Sequence, residues 1–230
     1  MSFIATIDND TVASLPAARI SGRIVIVDSE EQVEAACADL ARCDIIGFDT
    51  ETRPPFKVGI SHKVSLLQHS TPACCHLFRL CRIRLDNRIL KILGSRRIIK
   101  VGADVAGDIR SLHALRQFTA DGFIDLQHEA PHWGIEDKSL RKLSAIVLNE
   151  RVSKAQRLSN WEAGTLTEQQ QEYAATDAWI CLKIFDRLLR EAPEGYKPTI
   201  ISAQPTEQSA EHGAHRKHHH RRNKSKNSEQ

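Results

Sequence analysis

In the stretch "DIIGFDTETRP", residues 44–54, Asp49 and Glu51 follow the apolar run Ile45, Ile46, Gly47 and Phe48, with Thr50 between them. Alternate side chains of a β-strand share a face, so the two carboxylates point the same way. Two acids side by side repel and raise each other's pKa unless a cation lies between them. Taken alone, the pair also fits a strand that has ended, with both acids in water. Two helical segments repeat the anomaly. In "KVGADVAGDIRSL", Asp108 falls within the apolar stripe Val105, Ile109, Leu112 and Leu115. Asp104, one turn earlier, reads as the helix cap and Asp108 as the functional acid. In the long C-terminal segment, Tyr173, Asp177, Cys181, Ile184 and Leu188 form one helical face, apolar except for Asp177 and the phenol above it. An isolated buried carboxylate is costly. One shared cation site explains acids from a strand and two helices more simply than separate local partners do.

The ligand type selects the cation. The candidates are hard oxygen donors with no His or Cys in register, which favours Mg²⁺ or Mn²⁺ over zinc. Several carboxylates around such ions point to phosphoryl chemistry. In two-metal sites the ions lie about 3.5–4 Å apart and stabilise the attacking and leaving oxygens of an in-line displacement. On this reading Asp49 bridges both ions, Glu51 and Asp177 complete one, and Asp108 holds the other largely through water. Tyr173 orients or helps deprotonate the attacking water.

The elements that must position these groups follow from periodicity. Strands are expected at 23–27, 45–51, 63–70, 73–80, 97–102 and 122–127, the third and fourth joined as a hairpin around Thr71-Pro72. Helices are expected at 29–41 with Ser29 as cap, 87–94 ending in glycine, 104–117, 139–149, and 167–191 with a Thr167/Gln170 capping box. Strands that cluster first and then alternate with helices predict an α/β fold, a mixed sheet with helices on both faces. No GxGxxG follows a strand and no GxxxxGK[ST] is present, which argues against a dinucleotide site or a P-loop.

With 230 residues, 41% hydrophobic and 27% charged, the chain suits one globular domain. No apolar run approaches the ~20 residues of a membrane helix. The start "MSFIATIDND" is acidic, unlike a signal peptide, so the cytoplasm is the expected compartment. None of the six cysteines forms a CxxC pair, and they read as reduced, buried small hydrophobes. Glu211 to Gln230 holds six Lys/Arg and two Glu, a net +4 within a chain of net +3, so the body is near neutral. The tail has no aliphatic residue larger than alanine over 209–230 and is expected to be disordered. The expected division is an N-terminal arm over 1–22, a catalytic domain over 23–195, and a basic His-rich tail over 196–230.

Together, "FDTET", "KVGADVAGDIRSL" and "EYAATDAWICLKIF" resemble the three signature motifs of the DEDD 3′–5′ exonucleases, in the branch with a tyrosine in the last motif (DEDDy). The likeness covers about residues 23–190 and is strongest to ribonuclease D and the Werner-syndrome exonuclease domain. "NWEAGTLTEQQQEYAATDA" is also similar to the family's lead into its last motif. The resemblance implies a ribonuclease-H-like fold with a five-stranded mixed sheet. It implies two divalent ions and release of nucleoside 5′-monophosphates from a nucleic-acid 3′ end. It carries over Asp49, Glu51, Asp108 and Asp177 as metal ligands and Tyr173 as the water-positioning residue. Phe48, Thr50 and Leu112 are candidates for the terminal-base pocket, with plain core packing the competing reading. Lys154 and Arg157, in "RVSKAQRLSNWE", are candidate phosphate contacts. Asp125 is expected to be a structural hydrogen-bonding group, and Trp161 and Trp179 core residues. Ala103 stands where many ribonuclease D-like members carry a histidine, a departure that bears on substrate class and not on the metal ligands. No further nucleic-acid-binding domain fits in the remaining length, which points to DNA ends, with RNA trimming as the alternative. An inactive nucleic-acid-binding module on the same fold is the reading of another class, and the intact set of four acids and tyrosine argues against it. No membrane contact is expected, and no protein partner can be inferred.

Overall fold

The computed structural model of the chain describes residues 3–55, 59 and 61–205. In chain order the elements are α1 (Asn9–Ser14), β1 (Arg23–Val27), α2 (Glu30–Leu40), β2 (Ile45–Thr52), β3 (Val64–Ser70), β4 (Cys74–Phe78), α3 (Asn87–Leu93), β5 (Ile99–Gly102) and α4 (Val105–His113). There follow β6 (Ala120–Asp125), α5 (Leu126–Glu129), a 3₁₀ turn (Ala130–Trp133), α6 (Leu140–Leu148), α7 (Glu168–Arg190) and β7 (Ile201–Ala203).

Local chemistry explains the well-defined ends. Ser29 accepts from the Gln32 amide while the Gln32 side chain reaches back, closing a capping box on α2. Thr167 and Gln170 do the same for α7. Asp86 caps α3 by accepting from the Arg88 and Ile89 amides, and Gly94 follows its end.

One mixed sheet runs β1-β4-β3-β2-β5-β6-β7. β2 is antiparallel to β3 and parallel to β5, and β5 is parallel to β6. The expected mixed sheet is therefore present, with seven strands where the residue pattern gives six and the resemblance implies five. At one edge the expected β1 adds parallel to β4, and at the other β7, not read from the sequence, adds antiparallel to β6. On one face Ile46 and Phe48 pack with Val33, Leu40, Ile89, Val105 and Ile109, beneath α2, α3 and α4. On the other face Val101 and Ile124 meet Leu143, Ile180 and Ile184 of α6 and α7. Farther along α7, Ala174 and Ala178 pack on Leu66 and Leu77.

Three boundary expectations change. The arm is part of the fold: Val12 is fully buried, and the Ala18 amide donates to the Arg151 carbonyl at 2.9 Å. The Ile7 amide donates to Asp137 at 2.9 Å. Folded structure also runs past 195, because Ile201 and Ala203 pair with Phe123 and Ala120. The disorder expected of the tail concerns residues that lie, from 206 onward, outside the described ones. Finally, Asp104 occupies the cap position of α4 but its side chain makes no capping bond, and its backbone is left-handed at φ 63°. Asp125 takes over. Its carboxylate accepts from the Asp104 amide at 3.3 Å, the Val105 amide at 3.0 Å and the Gln127 amide at 2.9 Å. The structural role expected of Asp125 is thus a cap supplied across the sheet from the end of β6.

Among the cysteines, Cys37, Cys74, Cys75 and Cys181 are buried and free, whereas Cys81 is exposed and departs from the expected burial. Trp161 is fully enclosed and Trp179 nearly so, as expected of core residues. No described helix is long and apolar enough to cross a membrane.

Candidate active site

The site lies at the C-terminal end of β2. Alternation puts Gly47, Asp49 and Glu51 on the face toward α7, and Ile46, Phe48 and Thr50 on the opposite face. Gly47 determines how near α7 can come. A Cβ there would sit 1.9 Å from the Ala178 carbonyl oxygen, so only glycine admits this approach. The close crossing brings Asp177, the residue before Ala178, beside the β2 acids. Ligand oxygens of Asp49, Glu51 and Asp177 all lie within 4.8 Å of one another.

Asp108 reaches the same strand end from the other side of the sheet, because α4 packs on the Phe48 face. Thr50 holds it there, its Oγ1 donating to Asp108 Oδ1 at 2.6 Å. The structure therefore brings all four sequence-expected acids to one strand end, three in a tight cluster and the fourth alongside. Tyr173, one turn before Asp177, is half-buried, with its ring 6.0 Å from that of Trp161.

Burial and mutual repulsion govern the charges. Asp49 is held well above the carboxylate range, first by burial and then by Asp177. Burial, with Asp49, Asp177 and Asp108 adding to it, pushes Glu51 up to about 10. Asp108 rises to about 8, through burial and then Asp49, against the Thr50 hydrogen bond. Burial raises Asp177 to about 7, with the Tyr173 hydroxyl opposing. Tyr173 itself is pushed upward by burial and by the charges of Asp177, Glu51 and Asp49. A divalent cation fits this donor set. The oxygens are hard, their charges raise one another's pKa, and the buried Asp177 Oδ1 makes no hydrogen bond.

Not every expected contact residue reaches the site. Phe48 and Leu112 are fully buried, Phe48 edge-on against Phe123 at 5.1 Å, as the competing core-packing reading expects. Thr50 serves Asp108. Lys154 and Arg157 are exposed on the 151–162 loop.

Other groups were not legible in the sequence. A cavity of about 310 Å³ opens beside Tyr173 and Asp177, with Ala17–Arg19 of the arm and Arg151–Ser153 of the loop as walls. Arg79, almost fully buried, anchors the segment before α7 by donating to the carbonyls of Ala163 and Gly164. Its only sequence signal is an arginine inside the apolar stretch "HLFRL".

The family model described as 3′–5′ exonuclease matches residues 24–193. Human "Exonuclease 3′-5′ domain-containing protein 2" is 31% identical over 214 residues, covering 86% of this chain and 33% of that protein. The mouse "Bifunctional 3′-5′ exonuclease/ATP-dependent helicase WRN" is 34% identical over 153 residues, covering 63% of this chain and 11% of that protein. The chain thus spans a third or less of these relatives' length. Among solved structures, Trypanosoma brucei ribonuclease D in complex with RNA U12 superposes with a TM-score of 0.65 at 21% identity, covering 84% of this chain and 68% of that one. That likeness concerns the fold, which is ribonuclease-H-like. The matched span runs from β1 through the whole of α7, and with it the chain belongs to the 3′–5′ exonuclease family.

Proposed function

We propose that this chain removes nucleoside 5′-monophosphates from DNA 3′ ends with two divalent cations, Mg²⁺ or Mn²⁺. The observation that carries this reading is the convergence of Asp49, Glu51 and Asp177 within 4.8 Å, with Asp108 alongside on the Thr50 hydroxyl. Asp49, Glu51 and Asp177 would hold one cation, and Asp49 with Asp108 the second. Bound there, the cations supply Lewis-acid stabilisation of charge at the scissile phosphate and lower the pKa of water.

The chain's own groups do the rest. Tyr173 keeps its proton, since burial and three neighbouring carboxylates disfavour the phenolate. Its role is therefore to orient the attacking water and not to act as a free base. Thr50 directs one Asp108 oxygen and leaves the other for ligation. We assign backbone-phosphate contacts to Lys154 and Arg157, both exposed on the loop whose neighbouring residues wall the cavity.

DNA is the first reading because the 34%-identical WRN is an exonuclease joined to a helicase, whereas the superposed ribonuclease D shares 21%. RNA is the second, favoured by the U12 bound to that ribonuclease.

Labelled single-stranded, recessed and RNA oligomers, incubated with Mg²⁺, Mn²⁺ or EDTA, test the reading. Metal-dependent shortening from the 3′ end is expected, fastest on DNA. Asp49→Ala should lower the rate by about 10²- to 10³-fold, the order expected when a group central to electrostatic stabilisation is lost. No shortening on any substrate, or equal shortening by the variant, would refute the mechanism. Faster turnover of RNA would move the assignment to the second reading.

A further inference from the structure

Beside Asp49, on the neighbouring strand, lies a buried carboxamide that the site as described does not use. Gln68 of β3 is fully buried, and neither its Oε1 nor its Nε2 makes a hydrogen bond. Buried polar groups are rarely left this way, because each loses its hydration without recompense. The register places Gln68 directly opposite Asp49 in the antiparallel β2–β3 pair. Directly opposed residues share a face, with Cβ atoms about 4.5–5.5 Å apart. The other surroundings are apolar. Leu77 is opposite Gln68 on β4, and Leu66 lies two residues back on the same face. Both belong to the cluster formed with Ala174 and Ala178 of α7. Ser70, two residues ahead, gives its hydroxyl to the Thr71 carbonyl at 3.1 Å. His69, next in the strand, is also buried without a hydrogen bond, but it faces the opposite way, with ring contacts to Phe48 and Phe78 at 5.8 and 6.0 Å. Of these two unpartnered side chains, Gln68 is the one that shares a face with an acid of the cluster.

We infer that Gln68 is a positioning residue for Asp49. With a cation bound, its Nε2–H would donate to an Asp49 carboxylate oxygen and hold the group in the orientation that ligates the ion; in the metal-free chain the amide stays unpaired. An ionised carboxylate only accepts hydrogen bonds, and an amide on the adjacent strand offers the neutral donor that an already acid-rich site needs. Groups that orient metal ligands in this way typically account for about 10- to 100-fold in metal affinity or activity. The inference rests on the cation-site reading of the four acids.

The test uses Gln68→Met and Gln68→Leu, two apolar replacements of similar length or volume. Mn²⁺ binding to the full chain, without nucleic acid, is measured by calorimetry, and stability by urea unfolding in EDTA. Both variants should bind Mn²⁺ about 10- to 100-fold more weakly. Their stability in EDTA should be equal or greater, since an unpaired buried amide has been removed. With Mn²⁺ saturating, kcat should fall while KM for the oligomer stays unchanged. Unchanged Mn²⁺ affinity, or an affinity loss matched by an equal loss of stability in EDTA, assigns Gln68 to packing and overturns the inference. Asp49→Asn separates this from the parent reading. If Asp49→Asn binds Mn²⁺ as tightly as the unaltered chain, the cation site itself is wrong and the role of Gln68 falls with it. If Asp49→Asn abolishes binding and the Gln68 variants do not weaken it, only the inference about Gln68 fails.

Discussion

Glu51, Asp108 and Asp177 hold their protons in the folded, metal-free chain up to about 10, 8 and 7. In the unfolded chain such groups titrate near ~4. Between these limits the folded state binds more protons than the unfolded one, so stability falls as pH rises. The contribution of these acids is fully present below pH ~4 and is lost as pH passes upward through 7 and then 8 to 10. A divalent cation replaces the missing protons, and protons compete less with it at high pH. Thermal melting in EDTA should therefore give a Tm that drops from about pH 6 to about pH 8.5, and the rise in Tm on adding Mn²⁺ should be larger at the higher pH. A Mn²⁺-induced rise that does not change with pH would contradict the coupling of the four acids to one cation site. At this scale the site was legible because each acid broke an apolar pattern. Gln68 was not, since one more polar residue within "KVSLLQHS" reads as ordinary strand variation until the register sets it opposite Asp49.

Asp177 reaches the β2 acids only because β2 and α7 touch backbone to backbone at Gly47. With a Cβ at that position 1.9 Å from the Ala178 carbonyl, Gly47→Ala must push α7 outward or strain β2. Overpacking of this kind costs about 1–3 kcal/mol. The displacement falls one residue from Asp177, so Mn²⁺ affinity should drop together with stability. Urea unfolding and calorimetry on the same variant check both, and wild-type Mn²⁺ affinity in Gly47→Ala would show that the crossing does not set the site. Elements whose ends carry their own chemistry, such as α2 and α7 with their capping boxes, were legible within a residue or two. Elements defined by distant partners were not. β7 is three residues long and exists through pairing with β6. The α4 cap comes from Asp125, and no local pattern shows that a carboxylate 20 residues ahead replaces Asp104. The arm reads as loose because α1 spans six residues, and its order comes from contacts with α6 and Arg151.

For the whole molecule, the separation of charge matters more than its total. The segment Glu211–Gln230 carries net +4, while the chain as a whole carries +3, so the remaining residues add no excess of positive charge for the proposed polyanionic substrate. On the body, cations near the site are concentrated on the loop that holds Arg151, Lys154 and Arg157, with Arg19 of the arm across the cavity. Each phosphate neutralised by Lys or Arg steepens the dependence of affinity on salt, by about 0.7 in log–log slope for single strands and 0.9 for duplex. Ending the chain after residue 205 keeps β7 and every described element, so kcat on a short oligomer should stay at the wild-type value. Affinity for a long oligomer at low salt should fall, and its log–log salt slope should flatten by about 2–4, the change expected for two to five lost phosphate contacts. Arg157→Ala in the full chain should flatten the slope by less than one, as a single contact would. A truncated chain with an unchanged slope would assign the electrostatic contacts to the loop and arm alone. A truncated chain that also loses kcat on the short oligomer would mean that the basic segment acts at the site and not on the flanking strand.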